Sequence, residues 1–446
     1  MSCPPASSTV ATASPALTWK APWRAYWANT RRERRPHRGR RRIVGAGLAG
    51  LNCARELAAR GRRPLVLEAS DGVGGRVRSD HLDGFVLDRG FQVYLSAYPE
   101  GRRALDLAAL DLRAFRPGAL VRHRGRTWPV ADPFRRPQDL LGTLRAPVGS
   151  VADKARLGWL RQRVRTAPPS SLLAADDLST LDVLANAGFS AAMVERFWRP
   201  LIGGVQLDPS LLTSRRAFEV VLRSFFEGDA AVPAAGMGAI PAQLAARLPE
   251  GSLRLRSAAA GVEPSVVTLV GGRRVRAPVV VVATDGPTAA RLLGLPVPRS
   301  RAAACVYFAA DRAPFEGPWI LLDGDGRGPA ANVAVMTNVA PSYGPPGAAL
   351  VAAAVVGGPA AATIADDVRE QLRAWFGSQV DAWRHLRTYR IAHGQPEQRP
   401  PFSPKQSVVV APGLYVCGDH RDTASIQGAL YSGRRTAQVI ADVLDG

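Results

Sequence analysis

Lysine is nearly missing from this chain. Only Lys20, Lys154 and Lys405 occur in 446 residues, although Lys and Arg together number 58. An almost purely arginine basicity fits a coding bias better than a nucleic-acid surface. No basic stripe with interleaved aromatics stands in the folded part, so nucleic acid is excluded as a partner. Cysteine is scarce as well. Cys3, Cys53, Cys305 and Cys417 are scattered without a C-x-x-C spacing, which excludes a disulfide framework and a zinc ribbon and points to a reducing, cytoplasmic compartment. The six histidines, His37, His81, His123, His385, His393 and His420, make no ligand pair at helical spacing, so no metal centre is expected. Long apolar runs are lacking too. The nearest, residues 347–365, is interrupted by Gly357-Gly358-Pro359 and reads as strand, turn and helix start.

The chain is 46% hydrophobic and long enough for two or three domains with ample core. Its formal charge is +21, and residues 1–42 hold ten Lys+Arg against one Glu. The rest of the basic surface leaves acidic substrates or peripheral contact with anionic lipid open. Residues 1–42 do not read as fold. They are Ser-, Thr-, Ala- and Pro-rich, then carry Trp19, Trp23 and Trp27 and a run of arginines. A disordered leader, a basic transit peptide and a non-native stretch upstream of Ile43 are the readings that stay open.

From Ile43 the pattern changes. Ile43-Val44-Gly45-Ala46-Gly47-Leu48-Ala49-Gly50 has the form G-x-G-x-x-G. Gly45 permits a tight turn, Gly47 lets a pyrophosphate approach the backbone, and Gly50 lets a helix pack close to the sheet. Leu48 to Arg60 is amphipathic, and the apolar run Leu65-Val66-Leu67 ends in Glu68, a carboxylate placed for a ribose hydroxyl pair. One feature conflicts with this reading. A central parallel strand should be apolar throughout, yet Arg40-Arg41-Arg42 precede Ile43, so the strand is expected to be cut short. Behind Glu68, Gly72-Val73-Gly74-Gly75-Arg76 is a glycine-rich turn with one fixed cation, suited to a phosphate.

Downstream, residues 96–234 are mostly helical in pattern and contain the aromatic and glycine-rich patch Phe197–Val205. Strand-like pieces follow from Leu253 to Arg276, and Val279–Val282 reads as a fully buried parallel strand. Residues 303–392 alternate with turn-rich separators, as an antiparallel sheet does, interrupted by a helix at about 365–376. Near the C-terminus, Leu414–Cys417 runs into Gly418-Asp419, and a helix opens at about Gly428. Asp419 can accept from a polyol hydroxyl, and the helix N-terminus can face developing negative charge.

Three segments together resemble the flavin-containing amine oxidase, protoporphyrinogen oxidase and phytoene desaturase superfamily: Gly45–Gly50, Glu68-Ala69 with Gly74-Gly75-Arg76, and Asp88-Arg89-Gly90. The resemblance implies an α/β fold, with a Rossmann-like FAD-binding domain and an interleaved α+β substrate domain. It assigns residues 43–95, 235–300 and 408–446 to the first, and 96–234 and 301–407 to the second. It implies FAD as the cofactor. Gly45, Gly47, Leu48, Ala49, Gly50, Glu68, Ala69, Gly74, Gly75, Arg76, Gly90, Phe91, Val262, Ala283, Gly418, Asp419, Gln427, Gly428 and Ala429 are then expected at the cofactor. Gln92, Tyr94, Phe197, Gly203, Ser425 and Ile426 are expected at the substrate pocket.

Amine oxidases of this family usually carry a lysine on the substrate sheet and an aromatic before the C-terminal helix. Here residues 304–356 have no lysine, and residues 424–427 read Ala-Ser-Ile-Gln. Those departures favour dehydrogenation of a larger, apolar organic substrate, desaturase-like or porphyrinogen-like, with oxygen or a quinone as electron acceptor. Amine oxidation and a non-catalytic FAD-binding role are the alternatives. His420 and Lys405 read as a capping residue and a solvated loop residue.

Overall fold

Val280–Val282 carries no polar side chain and is buried along its whole length, as a strand covered on both faces must be. In the computed structural model, which describes residues 41–357 and 361–445, it lies inside a six-stranded sheet. The strand order is Leu253–Arg254, Pro64–Leu67, Arg41–Val44, Val280–Val282, Leu414–Val416 and Val409–Ala411. Every pairing but the last is parallel. Helix Leu48–Ala59 follows the first strand and packs on the C-terminal helix Ile426–Asp445. A Cβ on Gly433 would lie 2.2 Å from the Ala49 carbonyl oxygen, so the two helices meet backbone to backbone there. Asn52 Nδ2, fully buried, donates to Leu430 O across the same contact at 2.7 Å.

The first strand is not cut short. Arg41 and Arg42 are in register with Pro64 and Leu65, and Arg42 also with Val280. Both arginines stand at the strand's entry. Burial pushes the Arg41 guanidinium down, Arg62 adds to that, and Asp445 opposes it. A long stem can thus lie along the sheet while its head reaches the acidic end of the last helix. The tryptophans and arginines of residues 1–40 lie outside the described residues.

A second, seven-stranded sheet has the order Arg384–Pro396, Ser300–Ala310, Ala349–Val356, Ala330–Val335, Ile320–Asp323, Gly118–His123 and Arg126–Ala131. It is antiparallel except where Ile320–Asp323 meets Gly118–His123. Alternation divides its faces. Val306, Phe308, Val333 and Val351 pack with Val368 and Leu372 of helix Ile364–Phe376. Cys305, Tyr307, Ala334 and Leu350 turn the other way and share the core of the parallel sheet.

Residues 96–234 depart from the mostly helical expectation. They contribute strands Leu112–Ala114, Gly118–His123, Arg126–Ala131 and Ala230–Pro233. The hairpin Gly118–Ala131 turns at Arg124 and Gly125, both with positive φ (49° and 75°), and buries Ala119, Val121 and His123 in alternation. Leu120 at an intervening position and His123 at a buried one blur that period-two signal. The remaining helices, chiefly Val151–Thr166, Val194–Gly203 and Arg215–Glu227, close on a core of Trp198, Phe189, Phe197 and Phe218. Trp198 is edge-on to the other three rings, with centroids 5.4–5.9 Å apart.

Candidate active site

A cavity of about 750 Å³ runs between the parallel sheet and the antiparallel sheet. Its first wall is the glycine turn after the first strand. Gly45 has φ +108°, and a Cβ there would sit 2.8 Å from Ala283 O. Gly50 does not line the cavity; a Cβ on it would sit 2.1 Å from Gly45 O, so its role is close packing of helix on strand. Gly47 differs from both. It lines the cavity, and an added Cβ would meet nothing within 4 Å, so the space above it is open to a ligand. As the N-cap of helix Leu48–Ala59 it has no side-chain cap, which leaves first-turn N–H groups for an anion. Leu48 and Ala49 line the same wall.

Glu68 follows strand Pro64–Leu67, with Ala69 beside it on the cavity wall. Its Oε1 accepts from Ser70 N (2.9 Å) and Ser70 Oγ (2.8 Å), and its Oε2 accepts from Ala46 N (2.7 Å). One lone-pair site remains on Oε2, since a carboxylate has roughly four. Gly74 N donates to Ala46 O at 2.8 Å, which stitches the second glycine turn to the first. A Cβ on Gly75 would lie 3.4 Å from Gly47 Cα. Arg76 then reaches across the cavity, with NH2 to Asp419 Oδ1 and NH1 to Gly394 O, both at 2.7 Å. Asp419 is buried beside the parallel sheet and Gly394 belongs to the antiparallel one, so Arg76 joins the two.

Most expected residues thus lie along one cavity, which Gly90, Phe91, Gln92, Ala283, Gly418, Ser425, Ile426 and Ala429 also line. Several do not. Val262 pairs with Val267 in strand Ala259–Glu263, and Ser257, Ala258 and Ala259 take its place at the cavity. Gln427 turns away, its Oε1 accepting from Glu100 N at 2.9 Å. Gly428 is needed because a Cβ would strike Thr423 O at 1.9 Å; the helix begins two residues earlier than expected, at Ile426. Tyr94 is fully buried against Gly101, and Tyr98 lines the cavity instead. Phe197 belongs to the Trp198 core, and Gly203 packs on Asp208 and Pro209. Their neighbours Leu201, Gly204, Val205 and Gln206 form the wall. Segment Val194–Gly203 is a wide π-type helix containing Pro200, so helical spacing misassigns which side faces in.

Other residues were missed altogether. Tyr389, Arg301 and Asn332 line the end of the cavity on the antiparallel sheet. Asn332 is the only polar residue in strand Ala330–Val335, and that break in an apolar run was the available signal. Its Oδ1, and both amide atoms of Gln206, are buried without a protein partner. Tyr389 donates to Asp80 Oδ2 at 2.7 Å, and Arg89 holds the same carboxylate. The lining acids are Glu68, Asp285 and Asp419, all on the side of the parallel sheet, and no lining residue is lysine.

Behind the wall, Asp88 is a buried hub. Oδ1 accepts from Ser79 Oγ (2.5 Å) and Met237 N (2.9 Å), Oδ2 from Tyr343 OH (2.8 Å), and its carbonyl from Tyr307 OH (3.0 Å). Burial pushes its carboxyl up to about 6 despite those donors. His420 does not line the cavity, and burial pushes its imidazole down to about 4. Lys405 is exposed, with Nζ 5.8 Å from the Tyr431 ring centre. Among the described residues no cluster of His, Cys, Asp or Glu is arranged for a metal ion.

The family model described as flavin containing amine oxidoreductase matches residues 48–441. A coproporphyrinogen III oxidase from Propionibacterium freudenreichii is 26% identical over 169 residues, 36% of this chain and 31% of that protein. A putrescine oxidase from Kocuria rosea is 56% identical over 50 residues, 11% of this chain and 10% of its own. The chain thus aligns with about a third or less of these curated relatives. Among solved structures, an oxidoreductase from Methanosarcina mazei superposes with a TM-score of 0.69 at 16% identity, covering 90% of this chain and 100% of that one. A putrescine oxidase bound to putrescine gives 0.67 at 17%, covering 90% and 99%. Reduced UDP-galactopyranose mutase gives 0.64 at 16%, covering 91% and 96%. At such identities the likeness is one of fold.

Proposed function

The chain belongs to the flavin-containing amine oxidoreductase family, and we propose that it binds FAD in the cavity and dehydrogenates an apolar organic substrate. When bound, FAD supplies a hydride acceptor at N5 and passes the electron pair on to oxygen or a quinone. The chain's own residues fit that group. The space above Gly47 and the uncapped helix behind it would take the pyrophosphate, and the remaining lone pair of Glu68 a ribose hydroxyl. Asp419, held by Arg76, would accept from the ribityl chain, and the N-terminus of helix Ile426–Asp445 would favour negative charge on the ring.

One observation carries the substrate reading: the far end of the cavity holds no carboxylate and is mostly apolar, with Gln206, Arg301, Asn332 and Tyr389 among its few polar groups. Leu201, Val205, Val221, Phe225, Ile320 and Ile391 line it, while the lining acids lie at the cofactor end. A protonated amine placed there would lose its hydration without gaining a counter-ion, a penalty of several kcal/mol. The same walls suit a polyene or a porphyrinogen-like ring. Alanines on the sheet face (Ala303, Ala304, Ala354) keep that end wide. The likeness to putrescine oxidases keeps amine oxidation as the second reading.

The test is spectroscopic. Purified protein is expected to be yellow with a flavin absorbance band. Under anaerobic conditions it should bleach with a porphyrinogen or a polyene, not with putrescine, and recover on adding oxygen or a quinone. Bleaching by amines alone would overturn the substrate assignment. A folded, colourless protein that takes up no FAD would overturn the whole reading.

A further inference from the structure

The exposed large hydrophobic side chains are unevenly spread. Phe134, Leu140, Leu141, Leu144, Val151 and Trp159 are all exposed, and all fall within 26 residues of the helical lobe. Trp159 keeps 62% of its surface and Val151 66%. Isolated cases need no explanation, but a cluster of this size on a soluble face does.

All of them but Phe134 share one side of the lobe. Helix Val151–Thr166 exposes Val151, Ala152, Ala155 and Trp159, a stripe at helical spacing, while Leu160 and Val164 face the core. Lys154 Nζ donates to Leu144 O and Ala146 O, both at 2.8 Å, which sets helix Leu140–Arg145 beside the start of that stripe. Phe134 lies on the other flank of that helix, its ring centre 4.4 Å from the buried Arg161 guanidinium. Helix Arg215–Glu227 packs beneath, tied to helix Val151–Thr166 by Arg163, which donates to the buried Glu219. Its Ala217, Val221 and Phe225 line the cavity. The exposed patch and the apolar end of the cavity are thus two sides of one helical layer.

Charge selects the occupant. Residues 132–166 carry eight Arg and Lys against three Asp. Arg135, Arg136, Arg156, Arg161 and Arg163 are held in ion pairs, which leaves Arg145, Lys154 and Arg165 as the cations outside them. A second copy of the chain would bring two such basic rims together, which is repulsive. An anionic bilayer surface answers both features, taking the apolar side chains below the headgroups and pairing arginine with lipid phosphate. We propose that the face formed by Leu140, Leu141, Leu144, Val151 and Trp159 docks the protein on an anionic membrane surface. This rests on geometry outside the cavity and stands whether or not the FAD assignment does.

The test is sedimentation of the full chain with vesicles of phosphatidylcholine alone, or with about 30% phosphatidylglycerol, at low and high salt. Binding is expected to the anionic vesicles, weaker in salt, with little to the neutral ones. Leu141→Ser with Trp159→Ser removes apolar contact and keeps every charge, including the basic residues of the N-terminal stretch. It should lower the partition coefficient about tenfold or more. Trp159→Phe should retain binding but lose its share of the quenching by brominated lipid. Both substituted positions are exposed, so an unchanged melting temperature and size-exclusion profile serve as controls. Three results would overturn the proposal: no binding to anionic vesicles, binding that the double variant leaves intact, or a wild-type dimer that the double variant dissociates.

Discussion

Gly47 and Gly50 stand three residues apart in one motif, yet the structure gives them opposite roles, and alanine at each should separate ligand binding from folding. At Gly50 a Cβ would lie 2.1 Å from a backbone oxygen that cannot swing aside. Helix and strand would have to part by roughly 1 Å to reach an ordinary C···O contact. Overpacking of this kind costs about 1–3 kcal/mol and occasionally more, against about 1 kcal/mol gained in helix propensity. A net loss of about 2 kcal/mol is expected for Gly50→Ala. At Gly47 the backbone is extended (φ −71°, ψ 175°) and a Cβ meets nothing. A slightly poorer N-cap and a stiffer unfolded chain each contribute about 0.5–1 kcal/mol with opposite sign, so Gly47→Ala should fold as the wild type does. Its methyl group would occupy the space assigned to the pyrophosphate, and FAD affinity should fall at least about tenfold, roughly 1.4 kcal/mol. Urea unfolding of the apoprotein and quenching of FAD fluorescence on titration measure the two quantities separately. If Gly47→Ala binds FAD like the wild type, or Gly50→Ala unfolds at the wild-type midpoint, the division of roles is wrong.

Three further outcomes follow from the site. Arg76→Leu leaves Asp419 buried without its cation; about 2–3 kcal/mol should be lost, below the full-burial range because the Arg76 side chain keeps 34% exposure, and chemical denaturation will show it. Asp88 is expected to impose a pH slope. Its folded pKa of about 6 lies above the unfolded value near 3.9, so the folded state holds the proton more tightly; stability is fullest below about pH 4 and falls by about 3 kcal/mol as pH rises through 6. Asp88→Asn should remove that slope, as the difference between the two stability–pH curves. Asn332→Leu exchanges a buried amide oxygen without a partner for an apolar side chain of similar size, and should raise the melting temperature by the equivalent of about 1–2 kcal/mol.

The sequence disclosed what depends on short-range periodicity and on glycine. The buried strand at Val279–Val282 and the helix at about 365–376 are legible because each is a strong local pattern beside turn residues. The two glycine turns and Gly418-Asp419 converge on one cavity as their order along the chain suggested. Failures share a cause: they are questions of which neighbour faces inward. Tyr94 and Tyr98 are both aromatic, and only packing of Tyr94 on Gly101 decides that Tyr98 reaches the cavity. Phe197 was displaced by the wide turns of a π-type helix. The Arg41–Val44 strand was doubted because burial was judged by residue type, whereas its first positions sit at the end of the sheet.

The order of strands in the parallel sheet also has a history in time. Val280 is partnered by Arg42 on one side and by Leu414 on the other. A ribosome adding about 5–20 residues per second reaches the second partner on the order of ten seconds after Val280 itself, when the first partner is long since made. Throughout that interval an all-valine edge has no neighbour on one flank, which is the kind of surface that recruits other nascent chains. Slower elongation, crowded expression or a truncated transcript should therefore harm this protein through its half-built sheet, and a chaperone that shields residues 280–282 would act on birth rather than on the finished fold.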